Sequence, residues 1–201
     1  ATQMIEATGY EEISLSSLSS SDYSSLEELV NFLIDECRER RVNISLPSLR
    51  IDAFSLDVMS KVQDIKKSSL TFAPEAGSQR LRDVINKGLT EEVILNGAQM
   101  AFEGGWNKVK FYFMLGLPTE TEADMRAELA NETAARYYDT VPKEKRNGRC
   151  QITISTSFFV PKPFTPFQWA RMYPPEDYIG RAKVVNDTVK EQLNKKSIKY
   201  N

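Results

Sequence analysis

Histidine is absent from the 201 residues, and there are only two cysteines, Cys37 and Cys150, far apart and outside any CxxC spacing. An imidazole-based triad and a zinc site of the usual ligand spacing are therefore excluded, and any chemistry rests on backbone groups, carboxylates and a bound cofactor. Charge of one sign is also lacking: 26 Lys and Arg face 28 Asp and Glu, for a net charge of -2, and the one basic run is the short loop from Lys143 to Arg149. That balance argues against an electrostatic nucleic-acid or anionic-membrane binder. No apolar run approaches the roughly 18 residues of a membrane span. The opening ATQMIEATGYEE has no basic stretch followed by an apolar core, as a signal peptide would. The expectation is a cytoplasmic chain whose length suits one compact domain or a piece of a larger one.

What is present is alternation. The organising stretch is Lys108 to Thr121, KVKFYFMLGLPTET, an apolar run interrupted by Lys110 that meets Gly116, a Pro turn and a Thr/Glu/Thr cluster able to open a helix. It reads as a buried strand delivering a loop to a helix, the place where α/β proteins bind ligands. Before it, Met4 and Ile5 close a helix at Thr8-Gly9, and Glu11 to Leu18 reads as a strand running into a serine-rich loop. Leu26, Leu29, Val30, Leu33, Ile34 and Cys37 recur at helical spacing, with Arg38, Arg40 and Arg41 at the end favoured by the dipole. Cys37 falls on that apolar stripe and reads as a small core residue.

A strand from Val42 to Leu49 ends at Arg50, and a helix is expected across 55–65. A third strand, Leu70 to Ala73, runs into PEAGSQR, which puts Glu75 at a strand's carboxyl end beside Gly77 and Ser78. Short helices follow around Leu81 to Ile85 and from Thr90 to Phe102, the first stopped at Lys87-Gly88 and the second at Gly104-Gly105. Beyond the organising strand we expect a long helix from about Glu122 to Tyr138, a solvated loop, and a strand from Gln151 to Val160. The proline-punctuated aromatic loop PKPFTPFQW comes next, then a final helix from Glu176 to Lys195 whose apolar face includes Ile179 and Leu193.

Five strands alternating with helices and no hairpin signal predict a parallel sheet. Candidate polar residues at several successive strand ends, without a Rossmann glycine pattern, favour a partial parallel (β/α) TIM-type barrel of five to six strands with an open edge over a doubly wound sheet.

Four strand-end features in order resemble the barrel of radical S-adenosylmethionine enzymes, across nearly the whole chain. GLPTET (Gly116 to Thr121) is similar to the fifth-strand motif, and APEAGSQRL (Ala73 to Leu81) to the fourth-strand motif. Asn86 to Gly88 with the Thr-led helix after it, and PKPFTPFQW, match relatives that carry a cobalamin-binding region or resemble methylthiotransferases. The family's CxxxCxxC does not occur here. The resemblance therefore implies the C-terminal portion of a barrel (residues 1–201), with the first strand and cluster loop outside this chain and the piece alone inactive. In the parent it implies reductive cleavage of S-adenosylmethionine, with a 4Fe-4S cluster, to start radical chemistry on a substrate the sequence does not reveal. Cobalamin would sit in a domain outside this chain.

By position the resemblance assigns Ser16, Ser17 and Ser19 to the methionine amine, and Arg50 and Lys87 to its carboxylate. Glu75, beside Ser78, is assigned to the ribose, Gly116 to close approach at the adenine, and Phe159 and Val160 to an edge and an apolar wall. An edge-to-edge homodimer covering the strand near Glu11 is expected. Two other readings stand beside this one: a non-catalytic module docking a partner through PKPFTPFQW, and a barrel lyase with a Schiff base on Lys87 or Lys110.

Overall fold

The computed structural model describes residues 2–14, 23–40, 42–45, 70–126, 128–146 and 148–201. Helix α1 (Thr2–Thr8) ends as its sequence implies, with Gly9 at a φ of 67° and its N–H bonded to the Ile5 carbonyl at 2.8 Å. Strand β1 (Glu12–Ser14), helix α2 (Leu26–Arg40) and strand β2 (Asn43–Ser45) follow. The two strands pair in parallel, and Val30, Leu33, Ile34 and Cys37 of α2 pack with Ile5, Ile13 and Val42 in one core. The helix expected across 55–65 lies outside the described residues, as do the far ends of the first two expected strands.

The second group of elements is β3 (Leu70–Glu75), α3 (Gln79–Val84), α4 (Glu91–Glu103), β4 (Lys108–Leu115), α5 (Glu128–Thr140), β5 (Gln151–Phe158), α6 (Pro175–Glu191) and β6 (Ile198–Tyr200). Strands β3 to β6 form one sheet in sequence order, and every pairing is parallel. The caps match the sequence: Thr90 accepts the Val93 N–H at 3.2 Å to start α4, and Pro175 opens α6, where a missing N–H costs nothing.

The two faces of this sheet differ. Leu70, Phe72, Val109, Phe111, Leu115, Ile152, Ile154 and Ile198 point to one side and build the main core with α4, α5 and α6. Strand alternation puts Thr71, Lys110, Tyr112, Thr153 and Lys199 on the other. Strand β4 is therefore not buried on both sides as its apolar run suggests: Tyr112 is 39 % exposed. Lys110, which interrupts the run, belongs to the open face.

Three more expectations change. The helix expected from Glu122 to Tyr138 is split into a 3-10 turn (Glu122–Met125) and α5, because the Asp124 side chain is drawn back to Thr121 and across to the β3–α3 loop. Met125, Leu129 and Tyr137 are nonetheless buried, as the periodicity implies. The final helix ends at Glu191, so Leu193 is 93 % exposed and Ile179 also faces outward. The chain then turns into β6, which the sequence did not suggest; Asn201 N–H bonds the Ile154 carbonyl at 2.9 Å.

Candidate cofactor site at the carboxyl rim

The loops that leave β3, β4 and β5 meet at one end of the sheet. Glu75 ends β3 at a φ of 67°, beside a shift in the pairing register with β4. A residue with a side chain rarely adopts this left-handed conformation, and its cost is borne by the surrounding structure. It leaves the Glu75 carboxylate partly exposed at the rim, 3.4 Å from the Lys87 ammonium.

Behind Glu75 the loop is locked. A Cβ at Gly77 would lie 2.4 Å from the Asp124 carbonyl oxygen, so only glycine lets the β3–α3 loop approach the turn after β4. Ser78 caps α3 by accepting the Leu81 N–H at 3.1 Å and donates its hydroxyl to Asp124. Arg80 donates to the Thr119 carbonyl at 2.8 Å and to Asp124, which also accepts the Thr121 N–H at 2.8 Å and its hydroxyl at 2.7 Å. Burial acts to raise the Asp124 pKa, but the hydrogen bonds from Arg80, Ser78 and Thr121 outweigh it and hold the carboxyl well below its usual range. Arg82 reaches backward from α3 to the Ala76, Gly77 and Leu89 carbonyls and is fully buried.

Gly116 follows β4 at a φ of 85°, and its N–H donates to the Glu120 carboxylate at 2.8 Å. The space a Cβ would take there is filled by the Tyr178 ring, 2.5 Å from the ideal Cβ position, with Tyr173 at 3.2 Å. The close approach that Gly116 permits is thus made by α6 of the same chain. Glu120 is buried and paired with Arg181, whose guanidinium lies 4.3 Å from the centre of the Tyr173 ring. Burial raises the Glu120 pKa against the opposing pull of the Gly116 N–H and Arg181.

At the exit of β5, Phe159 donates its N–H to the Leu115 carbonyl and accepts the Tyr178 hydroxyl at 2.7 Å. Tyr178 stacks on Phe158 with ring centres 4.4 Å apart.

The residues expected from sequence therefore divide. Glu75 and Lys87 stand together at the rim, and Val160 is exposed beside it. Ser78 is committed to the cap and to Asp124. The Phe159 ring packs inward with Ala76, Leu81 and Leu117. Ser16, Ser17, Ser19 and Arg50 lie outside the described residues. Sequence reasoning missed Asp124, Glu120, Arg181 and Tyr178. The one local signal was the T-x-x-D spacing of Thr121 and Asp124, a helix-start pattern. Nothing local points from Glu120 to Arg181.

Among the described residues no group of three His, Cys, Asp or Glu could hold a metal ion. Both cysteines are buried, and burial pushes the Cys150 thiol up to about 12. Neither suits a cluster ligand, which must be an accessible thiolate. The residues described here do not fit a 4Fe-4S cluster.

Residues 1–130, well over half of the chain, match the Radical SAM superfamily. The chain belongs to the radical SAM superfamily. An uncharacterized protein of Methanocaldococcus jannaschii is 39 % identical over 168 residues, covering 84 % of this chain and 34 % of that protein. The chain thus spans about a third of the length of this curated relative. The crystal structure of methylornithine synthase superposes with a TM-score of 0.50 at 13 % identity, over 99 % of this chain and 59 % of that one. The likeness is one of fold: an α/β parallel sheet matching part of a TIM-type barrel. Radical SAM membership makes the chain part of an enzyme family whose cofactors are S-adenosylmethionine and a 4Fe-4S cluster. No helix among the described residues is long and apolar enough to cross a membrane.

Proposed function

We propose that this chain is the S-adenosylmethionine-binding part of a radical SAM barrel, holding the nucleoside end of the cofactor at the carboxyl rim of β3 to β5. The observation that carries this reading is Glu75, held in a left-handed conformation that presents its carboxylate at the rim within the matched part of the chain. Two ribose hydroxyls can donate to such a carboxylate, a charge-assisted pairing that discriminates a nucleoside from a base. Lys87, now beside Glu75, supplies a cation for the cofactor's carboxylate, a role that Arg50 would share. The Ser78 network, Gly116 and Phe159 act one step removed: they fix the loops, while Val160 offers an apolar edge. Ser16, Ser17 and Ser19 are assigned to the methionine amine by their place in the motif order.

When bound, S-adenosylmethionine supplies the carbon–sulfur bond whose reductive cleavage starts the family's chemistry. This chain's residues bind and orient it and exclude water. Reduction of the cofactor belongs to parts of the longer protein, and no step is assigned here to the cluster or to cobalamin. A cytoplasmic location is part of the same proposal. So is a homodimer in which a second copy covers the free edge of β1, an edge that natural sheets seldom leave bare. Sedimentation equilibrium is expected to give a dimer, and a strictly monomeric species would overturn that arrangement.

Titration with 5′-methylthioadenosine, which keeps the nucleoside but needs no iron chelate, tests the site. Saturable binding is expected, weakened about tenfold in Glu75→Gln, the loss of a hydrogen bond to a charged group. No binding, or an unchanged affinity in the variant, rejects the assignment. A second reading, a non-catalytic module docking a partner, is favoured by the outward-facing rings of Phe164 and Trp169. The same titration separates the two, since a docking module has no reason to recognise the nucleoside.

A further inference from the structure

We propose that the open face of the sheet carries an anion subsite in which Lys110 and Lys199 receive a carboxylate or phosphate group of the substrate across Thr153. The pairing register puts Thr71, Lys110, Thr153 and Lys199 in one row across β3, β4, β5 and β6. Adjacent strands are about 4.8 Å apart, so the two lysines start about 10 Å apart, with a threonine hydroxyl between them. That spacing suits a single oxyanion held from both sides and from below.

The row is unusual for its setting. Parallel strands commonly read as continuous apolar runs, and the opposite face of these four strands obeys that rule. Here two cations and two hydroxyls share a line. Among the described residues neither lysine has a carboxylate within ion-pair distance; the acidic group on this side of the sheet, Glu75, is paired with Lys87 at the rim. The Lys110 ammonium is instead aimed along its strand: it donates to the Tyr112 hydroxyl at 2.8 Å. That contact leaves the phenolic proton available, so Tyr112 adds a neutral donor on the rim side of the ammonium.

The geometry also orients the ligand. Six residues at about 3.3 Å each separate Lys110 from Gly116 at the rim, and the lysine side chain climbs part of that distance. A substrate anchored here and reaching the rim is on the order of 10 Å long, with its anion at the far end from the reacting carbon. This orientation rests on the rim being the cofactor site, whereas the anion subsite itself does not.

Calorimetric titration of the chain at low ionic strength, with inorganic phosphate and separately with malonate, tests the subsite. One-site saturable binding of at least one probe is expected, weakened at least fivefold in Lys110→Met and in Lys199→Met. Lys190→Met, on α6 and paired with Asp187, serves as the control and is expected to match the parent. Tighter phosphate assigns a phosphoryl group to the substrate, and tighter malonate a carboxylate. Absence of saturable binding for both probes, or an unchanged affinity in either lysine variant, overturns the proposal. If the anions bind while 5′-methylthioadenosine does not, the cofactor reading falls and the anion subsite stands.

Discussion

Replacing Arg82 with methionine is expected to lower the melting temperature by about 10 °C, the shift that a loss of 3–5 kcal/mol gives a chain of this size. The guanidinium is 0 % exposed and donates to three main-chain carbonyls, those of Leu89 at 3.0 Å and of Ala76 and Gly77 at 3.1 Å. Its remaining fork meets Gln79 at 3.2 Å and Glu91 at 3.6 Å. Burial pulls the Arg82 pKa down, with Glu91 opposing. Methionine fills similar volume but leaves the carbonyls without a donor in a place water does not reach, so the desolvation cost of each is felt in full. Lysine keeps the charge and loses the planar fork, and so recovers only part of the loss. Thermal unfolding followed by circular dichroism decides it, and a melting temperature within 2 °C of the parent's would show that the carbonyls find other partners.

The second large effect is expected at Arg181. Arg181→Met leaves Glu120, 2 % exposed, without its cation, and removing one member of a buried pair costs about 3 kcal/mol or more. The loss depends on pH in a defined direction. Burial already raises the Glu120 pKa, and without Arg181 it rises further. A carboxyl whose folded pKa is raised stabilises fully below its unfolded pKa, and that contribution is lost as pH rises through the folded value. Relative to the parent, the variant is therefore least impaired near pH 4–5 and most impaired at pH 8. The double variant Glu120→Gln, Arg181→Met regains most of the difference at pH 8. Denaturant titrations at the two pH values check this; a deficit that stays constant between them rules out an uncompensated carboxylate as its cause.

Both predictions concern residues that sequence reasoning passed over, for a common physical reason. Periodicity reports which face of an element meets the core, and it served well for α2, for the Thr90 start of α4 and for the inward side of β4. It carries no information on pairs far apart in the chain. Arg82 reads as one more charged residue on a short helix; only the fold shows that the loop before α3 and the turn after it both aim their carbonyls at it. Glu120 and Arg181 lie on different elements, and neither has a neighbour that suggests the other. The split before α5 depends on Asp124 answering to Ser78 and Arg80, a tertiary demand that overrides local helix propensity. Strand β6 is three residues long, too short for alternation to register. At the candidate site the motif order was legible, and so was Glu75. The occupation of Gly116's empty side by Tyr178 was not, because it requires α6 to fold back across the rim.

The bond from the Gly116 N–H to the Glu120 carboxylate gives the rim a spectroscopic address. Most backbone amides in a fold report on a neighbouring carbonyl, which has no charge to change. This one reports on a titrating group that is joined through Arg181 to the last long helix. With nine glycines in the chain, selective isotopic labelling of that residue type gives a spectrum simple enough to follow a single amide resonance. The Gly116 signal would register the protonation of Glu120, the seating of α6 and any ligand that disturbs either.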